Sequence, residues 1–424
     1  MAKKPKFQSP TGMHDILPEE QKYYERIYEV VSKMADFYGF GKIDTPIVED
    51  TDLFSRGIGL STDIVKKEMY TLKTKGGDSL SLRPEWTAPI VRSYIEHGMY
   101  SKPQPLKLWY FGPCYRYERP QAGRYRQFWQ FGFEIFGEDN AVIDAQIIQI
   151  FYNILKELKL KNISVEVNSI GDSNCRPYYK KLLSNYFRSR ESSLCSNCKK
   201  RLKENVLRVL DCKEEKCQPI KVEAPQIIDH LCDSCHAHFK EVLEFLDEID
   251  LPYNLNPHLV RGLDYYTNTV FEIFSGKGDI KNALGGGGRY NKLVKLIGNK
   301  DIPACGAAGG VERIISLMKE QEIEVGKVPE IQIFLAQLGN LAKRKSLRLL
   351  EDFRKARVRV AESFGRDSLK VQLNRADKIG SKYTLILGQK EALEGVIIIR
   401  DMASGKQDIV KLEEVVAKVK KKLK

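Results

Sequence analysis

The order of strand-like and helix-like segments is the feature that most constrains the fold of this chain. From Phe40 to Gly137, short runs rich in β-branched and aromatic residues are punctuated by glycine and proline, and we predict no regular helices between them. Parallel neighbours need helical crossovers, so this series favours an antiparallel sheet over a doubly wound parallel one. The runs read FGKIDTPIVE, EMYTLKTKGGDSLSLRP, KLWYFGPCYRYERP and FWQFGFEIFG.

The pattern then changes twice along the chain. Residues 173–250 are charged, helix-rich and rich in cysteine, and strand-like sequence resumes at Leu259 with LVRGLDYYTNTVFEIF. We therefore predict a core of residues 1–172 and 251–325 that is interrupted by an inserted helical module, 173–250. From residue 329 strands and helices alternate to the end, which predicts a separate three-layer α/β domain at 329–424. The predicted class is α+β.

The positive charge is concentrated at the C-terminal end of the 424-residue chain. The first 329 residues hold 47 basic and 44 acidic residues, a net charge of +3, whereas residues 330–424 hold 22 and 12, a net charge of +10. Such a basic region is typical of a nucleic-acid contact, although a solvated lysine-rich face gives the same count. No apolar stretch approaches the roughly 18 residues of a membrane span, and the basic N-terminus lacks the apolar core of a secretory signal. We expect a cytoplasmic protein without a membrane segment.

Polar residues are concentrated in five segments of otherwise apolar sequence. Arg116 and Glu118 share one face of a strand, and Gln130 and Glu134 share one face of the next, so a hairpin gathers them on one surface. This surface fits either an anion-binding site or an Arg116–Glu118–Glu134 salt network. The glycine run 285–288 fits either close approach to a flat ligand or a hairpin turn. The segments are LRPEWTAP, YRYERPQAGRYRQFWQFGFEIFG, VRGLDYYTNTVFEIF, ALGGGGRY and CGAAGGVERII.

Together and in this order, these segments resemble the histidyl-tRNA synthetases, a family of class II aminoacyl-tRNA synthetases. YRYERPQAGRYRQFWQ is similar to class II motif 2 and GGVERII to motif 3, while RGLDYYTNTVFE and LGGGGRY are similar to segments particular to the histidine enzymes. The resemblance implies a class II catalytic core and a C-terminal anticodon-binding domain. It also implies ATP-dependent activation of L-histidine to histidyl-adenylate and transfer to the 3′ end of tRNA(His), with release of AMP and pyrophosphate.

The resemblance also implies residue roles. Arg116 and Arg261 would act on the α-phosphate as the catalytic pair. The implied histidine-binding residues are Glu85, Thr87, Gln130, Glu134, Arg261, Tyr265 and Tyr266. The implied ATP-binding residues are Arg116, Glu118, Arg313, Gly285 and Gly286. The implied tRNA-facing residues are Gln121, Arg124 and Arg126. Mg²⁺ and a homodimer, with the segment around Pro46 at its interface, are expected from the same resemblance.

One residue departs from the family pattern. Trp86 follows Glu85 where a smaller residue is expected. A ring of that size turned toward the histidine pocket would displace Thr87.

Six of the nine cysteines lie between Cys195 and Cys235. Two C-x2-C pairs, Cys195 with Cys198 and Cys232 with Cys235, form a tetrahedral zinc signature. Reduced thiols without a metal are the alternative, and any zinc would be structural because the insertion lies away from the predicted active site. Cys114, Cys175 and Cys305 are isolated and are expected to be small buried residues.

Two other functions compete with the enzyme. A non-catalytic relative, such as the regulatory subunit of ATP phosphoribosyltransferase, would lack the C-terminal module and some of the ATP-binding arginines. A basic nucleic-acid-binding protein without catalysis leaves the buried polar residues unexplained. The module and Arg116, Arg261 and Arg313 are all present, which favours the enzyme.

Overall fold

A computed structural model describes residues 6–60, 62–121, 123–276, 282–326 and 331–423. The chain divides into two compact units, Met1–Val325 and Gly326–Lys424. Each unit has a hydrophobic core of its own. Among the described residues, no helix combines the length and the apolar character that crossing a bilayer requires.

The first unit contains a large sheet, a small sheet and the helices around them. Its strands β1–β11 span Gly41–Lys42, Val48–Asp50, Thr71–Lys73, Ser79–Leu82, Leu106–Tyr115, Gln127–Phe136, Ile163–Ser169, Asn254–Leu255, Thr267–Ser275, Asn282–Arg289 and Ala304–Gly310. Its helices α1–α10 span Pro18–Tyr38, Thr51–Ile58, Thr87–Glu96, Ala141–Glu157, Arg176–Arg188, Ser196–Glu204, Gln218–Val222, Asp233–Glu248, Leu293–Gly298 and Val311–Glu320.

The large sheet has eight strands in the order β1-β5-β6-β11-β10-β9-β7-β8. All pairs from β5 to β7 are antiparallel, and only the two-residue edge strands β1 and β8 run parallel to their neighbours. The predicted antiparallel sheet is therefore confirmed. The small sheet β2-β4-β3 includes a hairpin that turns at Gly76-Gly77, where Gly77 has φ +96°.

The alternation of side chains along β6 separates a core face from a polar face. Phe131, Phe133 and Ile135 belong to the main core, which also holds the buried residues of α1 and α4. Because successive strand residues point to opposite faces, Gln130 and Glu134 face the other side of the sheet. The site lies on that second face.

Two local predictions differ from the structure. Helices α2 and α3 lie between the strands where no helix is predicted, and both are short enough to resemble strands in their apolar pattern. The predicted strand beginning at Leu259 starts only at Thr267. Its first part forms a loop that crosses to α2, where Asp264 N–H donates to the Ile58 carbonyl at 3.0 Å. This loop, residues 259–266, carries several of the predicted site residues.

The insertion at 173–250 folds as helices α5–α8 joined by short 3-10 turns. Tyr179, Leu183 and Phe187 of α5 share one apolar cluster with Trp86 and Tyr94 of the surrounding core. The insertion therefore packs as part of the first unit.

The second unit is an α/β sandwich. Its strands β12–β16 span Ile333–Gln337, Val360–Glu362, Tyr383–Leu387, Val396–Asp401 and Gln407–Lys411, and its helices α11–α14 span Asn340–Lys355, Leu369–Lys378, Gln389–Glu394 and Val415–Leu423. The sheet order is β13-β12-β14-β15-β16. Ile333 and Leu335 pack in one core and Phe334 and Ala336 in another, so helices cover both faces and the predicted three layers are confirmed. The sequence analysis missed α13 and β16.

A buried ion pair joins β10 to α4. Arg289 is fully buried, its Nε donates to Asp144 Oδ2 at 3.0 Å, and its Nη1 and Nη2 donate to the Glu138 and Asn140 carbonyls at 3.0 and 3.1 Å. Burial alone raises the pKa of Asp144, but the Arg289 guanidinium and His238 bring it below its ordinary value. The pair holds the end of the glycine run against the main core.

Replacing Arg289 with leucine leaves Asp144 buried and unpaired. We expect Arg289→Leu to lower the free energy of unfolding by about 3–5 kcal/mol, measured by urea denaturation. The double variant Arg289→Leu/Asp144→Leu removes both charges and is expected to recover most of that loss. A double variant as unstable as the single one would contradict this account.

Candidate active site

The Glu134 carboxylate lies at the centre of the polar face. Glu134 is fully buried on β6, opposite Leu108 of β5 and Gly306 of β11. Its Oε1 accepts from the Thr87 hydroxyl at 2.9 Å, and its Oε2 accepts from the Tyr290 hydroxyl. Burial raises the pKa of Glu134 to about 8, although these two hydrogen bonds lower it. Within the described part of the chain, no ion pair joins a cationic side chain to this carboxyl group.

A second buried carboxylate, Glu85, lies directly before α3. It accepts hydrogen bonds from the Thr87 and Ala88 N–H groups at 2.7 and 2.9 Å. These are amides of the first helical turn, which have no partner within the helix. Burial raises the pKa of Glu85, while the two amides and Arg116 oppose the increase.

The Trp86 ring packs away from Thr87. It is 1% exposed and lies between the Arg83 guanidinium, 3.4 Å from the ring centroid, and the Tyr110 ring, stacked at 4.8 Å. Thr87 keeps its hydrogen bond to Glu134. The expected displacement of Thr87 by Trp86 does not occur.

Three tyrosines line the same pocket. The ring centroids of Tyr265 and Tyr266 are 4.6 Å apart, and Tyr290 lies 5.7 and 6.5 Å from them. Burial raises the pKa of Tyr266 to about 12 and those of the other two well above the ordinary value. All three hydroxyls are therefore neutral and able to donate. The motif LGGGGRY predicted no role for Tyr290. Its position directly after the glycine run and Arg289 is the sequence feature that could have pointed to the pocket.

Arginines from motif-2-like and motif-3-like segments converge beside this pocket. Arg116 Nε donates to the Pro84 carbonyl at 2.9 Å, and Arg313 Nη1 donates to the Ala283 carbonyl at 2.7 Å. Burial lowers the pKa of Arg313, and so do the nearby charges of Arg124 and Arg116. Cations that repel one another in this way favour a polyanionic ligand.

Glu118 is the acidic residue among these arginines. Its carboxylate lies 3.9 Å from Arg116 Nη1 and 3.7 Å from Arg124 Nη1. Glu134 instead bonds to Thr87 and Tyr290. Glu134 therefore takes no part in the three-residue salt network considered from the sequence. The carboxylate pocket and the group of arginines are separate features of one face of the sheet.

Arg261 reaches the face from the loop 259–266. Its Nη1 lies 3.1 Å from Glu272 Oε1 on β9, and its buried Nε has no hydrogen-bond partner among the described residues. A Cβ added at Gly286 would lie 2.8 Å from Arg261 Nη1. Gly286 thus makes room for this guanidinium, while Gly285 backs onto β11 at Gly309.

The remaining predicted residues lie around these groups. Gln130 is opposite Gly112, and the Cys114 thiol donates to its Oε1 at 3.3 Å. Gln121 and Arg124 are exposed and close a tight turn through their backbones at 2.8 and 3.1 Å. The Arg126 guanidinium stacks on the Tyr117 ring, 3.8 Å from its centroid, so the Arg126 side chain packs against the residues just before the turn.

Glu312 is a further residue that the sequence analysis missed. It is buried in the first turn of α10, and both its oxygens accept from the Trp129 N–H group, at 2.8 and 3.0 Å. Burial raises its pKa to about 7. By holding the start of α10 against β6, Glu312 positions the adjacent Arg313.

The cysteines do not follow the predicted grouping. Cys195 and Cys198 lie together with Cys212 and Cys217, whereas Cys232 and Cys235 lie together with Asp172 and Cys175. The expectation that the two C-x2-C pairs share one site is therefore wrong, because the helices of the insertion bring each pair to different partners. Cys175, expected to be isolated, belongs to the second group, while Cys114 and Cys305 are buried as expected.

Comparisons with known proteins agree with this architecture. The family model described as histidyl-tRNA synthetase matches residues 12–314, and the one described as anticodon binding domain matches residues 332–422. A histidine–tRNA ligase from Dehalococcoides mccartyi is 44% identical, covering 98% of this chain and all of that protein. Another from Pelotomaculum thermopropionicum is 43% identical, covering 98% and 97%.

Solved structures give the same result. The apo histidyl-tRNA synthetase of S. aureus matches with a TM-score of 0.79 and 34% identity, over 97% of this chain and 99% of that one. A Bacillus halodurans structure described as an ATP phosphoribosyltransferase regulatory subunit/histidyl-tRNA synthetase has a TM-score of 0.63 and 21% identity, over 90% and 97%, and shares the fold. Because relatives that are 43–44% identical match 98% of this chain, the chain belongs to the histidyl-tRNA synthetase family.

Proposed function

We propose that this chain is a ligase that joins L-histidine to tRNA(His) in two steps that use ATP. In the first step a histidine carboxylate oxygen attacks the α-phosphorus of ATP, the bond to the bridging oxygen breaks, and pyrophosphate leaves. In the second, a hydroxyl of the 3′-terminal ribose attacks the carbonyl carbon of the adenylate and AMP leaves. The observation that carries the proposal is the position of the Glu134 pocket beside the group of arginines on one face of the sheet.

The pocket is suited to histidine because it offers acceptors and neutral donors together. Glu134 and Tyr266 would bind the two ring nitrogens, with Tyr265 packed beside them. A buried carboxyl group with a raised pKa gains most from a cationic or N–H ligand, because that ligand offsets the cost of burying the charge. A pocket built for such hydrogen bonds rejects amino acids that cannot make them.

The α-ammonium group of histidine would meet the other end of the pocket. Glu85, Thr87 and Gln130 would hold it, and its charge would compensate the burial of Glu85. The histidine carboxylate then points toward the arginines. This orientation brings the nucleophile toward the phosphate without any covalent bond to the enzyme.

The arginines would bind and polarise ATP. Arg116 would contact the α-phosphate and Arg313 the γ-phosphate, with Glu118 between the cations and Gly285 and Gly286 flooring the nucleotide. Arg261, whose Nε has no hydrogen-bond partner in the part of the chain that the structure describes, would stabilise the charge that develops on the α-phosphate oxygens. Fixed cations of this kind act without reorganisation during the reaction.

Mg²⁺ belongs to the chemistry of this family and fits the residues present. Mg²⁺ prefers carboxylate and phosphate oxygens, and Glu118 and Glu272 are partly exposed carboxylates on this face. These two residues would help to hold the ion, which when bound neutralises phosphate charge.

The tRNA would contact both units. Gln121, Arg124 and Arg126 lie on the loop that would face the acceptor end. The domain 329–424, with its excess of basic residues, would bind the anticodon stem-loop, where phosphate contacts give affinity and base contacts give choice.

We also propose a cytoplasmic homodimer, because tRNA charging serves translation and because apolar side chains are exposed near Pro46. Ile47 is 42% exposed and Val48 37% exposed. The proposed domains remain the core 1–172 and 251–325, the insertion 173–250 and the anticodon-binding domain 329–424.

The first prediction concerns adenylate formation. We expect the chain to exchange pyrophosphate into ATP only when histidine is present. Arg261→Ala removes a cation that acts at the transition state, so it should slow exchange by about 10²–10³-fold. Arg354→Ala, which removes an exposed arginine paired with Glu351 in the second unit, is the control and should keep the wild-type rate. Wild-type exchange at background level would refute the proposed function.

The second prediction concerns pH. Burial raises the pKa of Glu134 to about 8, so below that pH most of the free enzyme carries a neutral carboxyl group. Because the ionised form accepts the histidine N–H groups, kcat/KM for histidine should rise by about eightfold from pH 7 to pH 8.5. Glu134→Gln cannot ionise and should lose both this rise and affinity for histidine. A wild-type profile as flat as that of the glutamine variant would exclude this role.

The third prediction concerns the second unit. A chain ending at Val325 keeps the first unit with its core, so histidine-dependent exchange should remain measurable. Charging of tRNA should weaken because the basic anticodon-binding unit is gone. Unchanged KM for tRNA in the shortened chain would show that this unit does not bind it.

A further inference from the structure

Each of the two cysteine groups of the insertion contains four ligand-type atoms in a compact arrangement. The first group is Cys195, Cys198, Cys212 and Cys217, and the second is Asp172, Cys175, Cys232 and Cys235. Within each group every ligand atom lies within 4.8 Å of every other. Cys198 lies in α6 and Cys235 in α8, and the other six residues lie in the segments before or between the α-helices.

The distances fit metal coordination and exclude disulfide bonds. Cys195 Sγ and Cys212 Sγ are 3.9 Å apart, and Cys175 Sγ and Cys235 Sγ are 3.8 Å apart. A disulfide bond is about 2.05 Å long. Four sulfurs placed about 2.3 Å from a zinc ion at tetrahedral angles are about 3.8 Å from one another, which is close to the distances of these two pairs.

The surroundings of the sulfurs also suit thiolates. Cys195 N–H donates to Cys217 Sγ at 3.3 Å and Cys198 N–H donates to Cys195 Sγ at 3.4 Å. In the second group Asp172 N–H donates to Cys175 Sγ at 3.3 Å and Asn268 Nδ2 to Cys235 Sγ at 3.5 Å. Hydrogen bonds donated to sulfur stabilise its anionic form.

We propose that the insertion binds two structural zinc ions, one through four cysteine thiolates and one through three thiolates and Asp172. Soft thiolates in a tetrahedral set select zinc over Mg²⁺ or Ca²⁺. Four protein ligands leave no open position, so neither ion takes part in the chemistry.

The two sites connect the insertion to the loop that carries Arg261, Tyr265 and Tyr266. Segment 195–217, closed by the first site, includes Arg208, whose Nη1 donates to the Gly262 carbonyl at 2.9 Å. Arg176 follows Cys175 of the second site, and its Nη2 donates to the Tyr266 carbonyl at 2.6 Å. The insertion thus holds this loop at its middle and at its C-terminal end, and the zinc ions would fix the segments that do so.

The test is zinc content of the full chain, expressed without a metal-binding tag and purified without added zinc. We expect two zinc ions per chain by mass spectrometry, and X-ray absorption should give an average of about 3.5 sulfur and 0.5 oxygen ligands per zinc. Cys198→Ser and Cys235→Ser should each leave one zinc. Ser196→Ala, between two ligands of the first site, and Cys305→Ala, a buried cysteine outside both groups, should keep two.

Other outcomes overturn the proposal. The proposal fails if the wild-type chain holds fewer than two zinc ions, if it holds iron in their place, or if the cysteine thiols are oxidised. If the serine variants fail to fold, zinc released from the wild-type chain by a mercurial and counted with a chromogenic chelator must still reach two per chain.

A kinetic readout tests the connection to the loop and rests on the proposed function. Variants that lose one zinc should raise KM for histidine by about tenfold and also lower kcat, because the loop that is held less firmly carries both Tyr266 and Arg261. Unchanged KM would overturn that connection. Zinc content is measured without any activity, so its result stands apart from the proposed function.

Discussion

The burial of the Glu134 carboxylate is the constraint on which the rest of the site depends. A buried carboxyl group is costly unless hydrogen bonds or a cation compensate it. Here the compensation comes from Thr87 at the start of α3 and from Tyr290 after β10, two elements far apart in sequence. The placement of α3 is in turn fixed by Glu85, which binds the amides of its first turn. One strand, one helix and one loop are therefore positioned together by two carboxylates.

Glycine is what allows these side chains to occupy the face of a closely packed sheet. A side chain at Gly306 would overlap the Glu134 carboxylate, and one at Gly286 would crowd the Arg261 guanidinium. The glycine-rich sequence of β10 and β11 therefore makes room for the enzyme's own charged groups at these two positions. Which group a glycine makes room for depends on how the strands pair. The sequence of the glycine run alone therefore fitted both a floor for a ligand and a hairpin turn.

The sequence was sufficient for the features that depend on local pattern. Alternating aromatic runs without long crossovers predicted the antiparallel sheet, and the motif-like segments identified Arg116, Glu134 and Arg313. Features that depend on distant contacts were missed. Nothing near Tyr290 in the chain shows that it bonds to Glu134, and the pairing of Cys195 with Cys212 depends on how the insertion folds. Helix α13 and strand β16 were missed because each is short and lacks a clear period.

The loop 259–266 receives part of its backbone hydrogen bonding from the insertion. In the proposed function Arg261 acts on the α-phosphate and Tyr266 on the histidine ring, yet both lie on a loop and not on a strand of the sheet. Side chains on loops are positioned less firmly than those on strands, because the backbone has fewer hydrogen bonds to its neighbours. Arg208 and Arg176 supply such hydrogen bonds from the insertion, to Gly262 and Tyr266. The insertion therefore does for this loop what the sheet does for Glu134, because it donates hydrogen bonds to the backbone that carries the side chains.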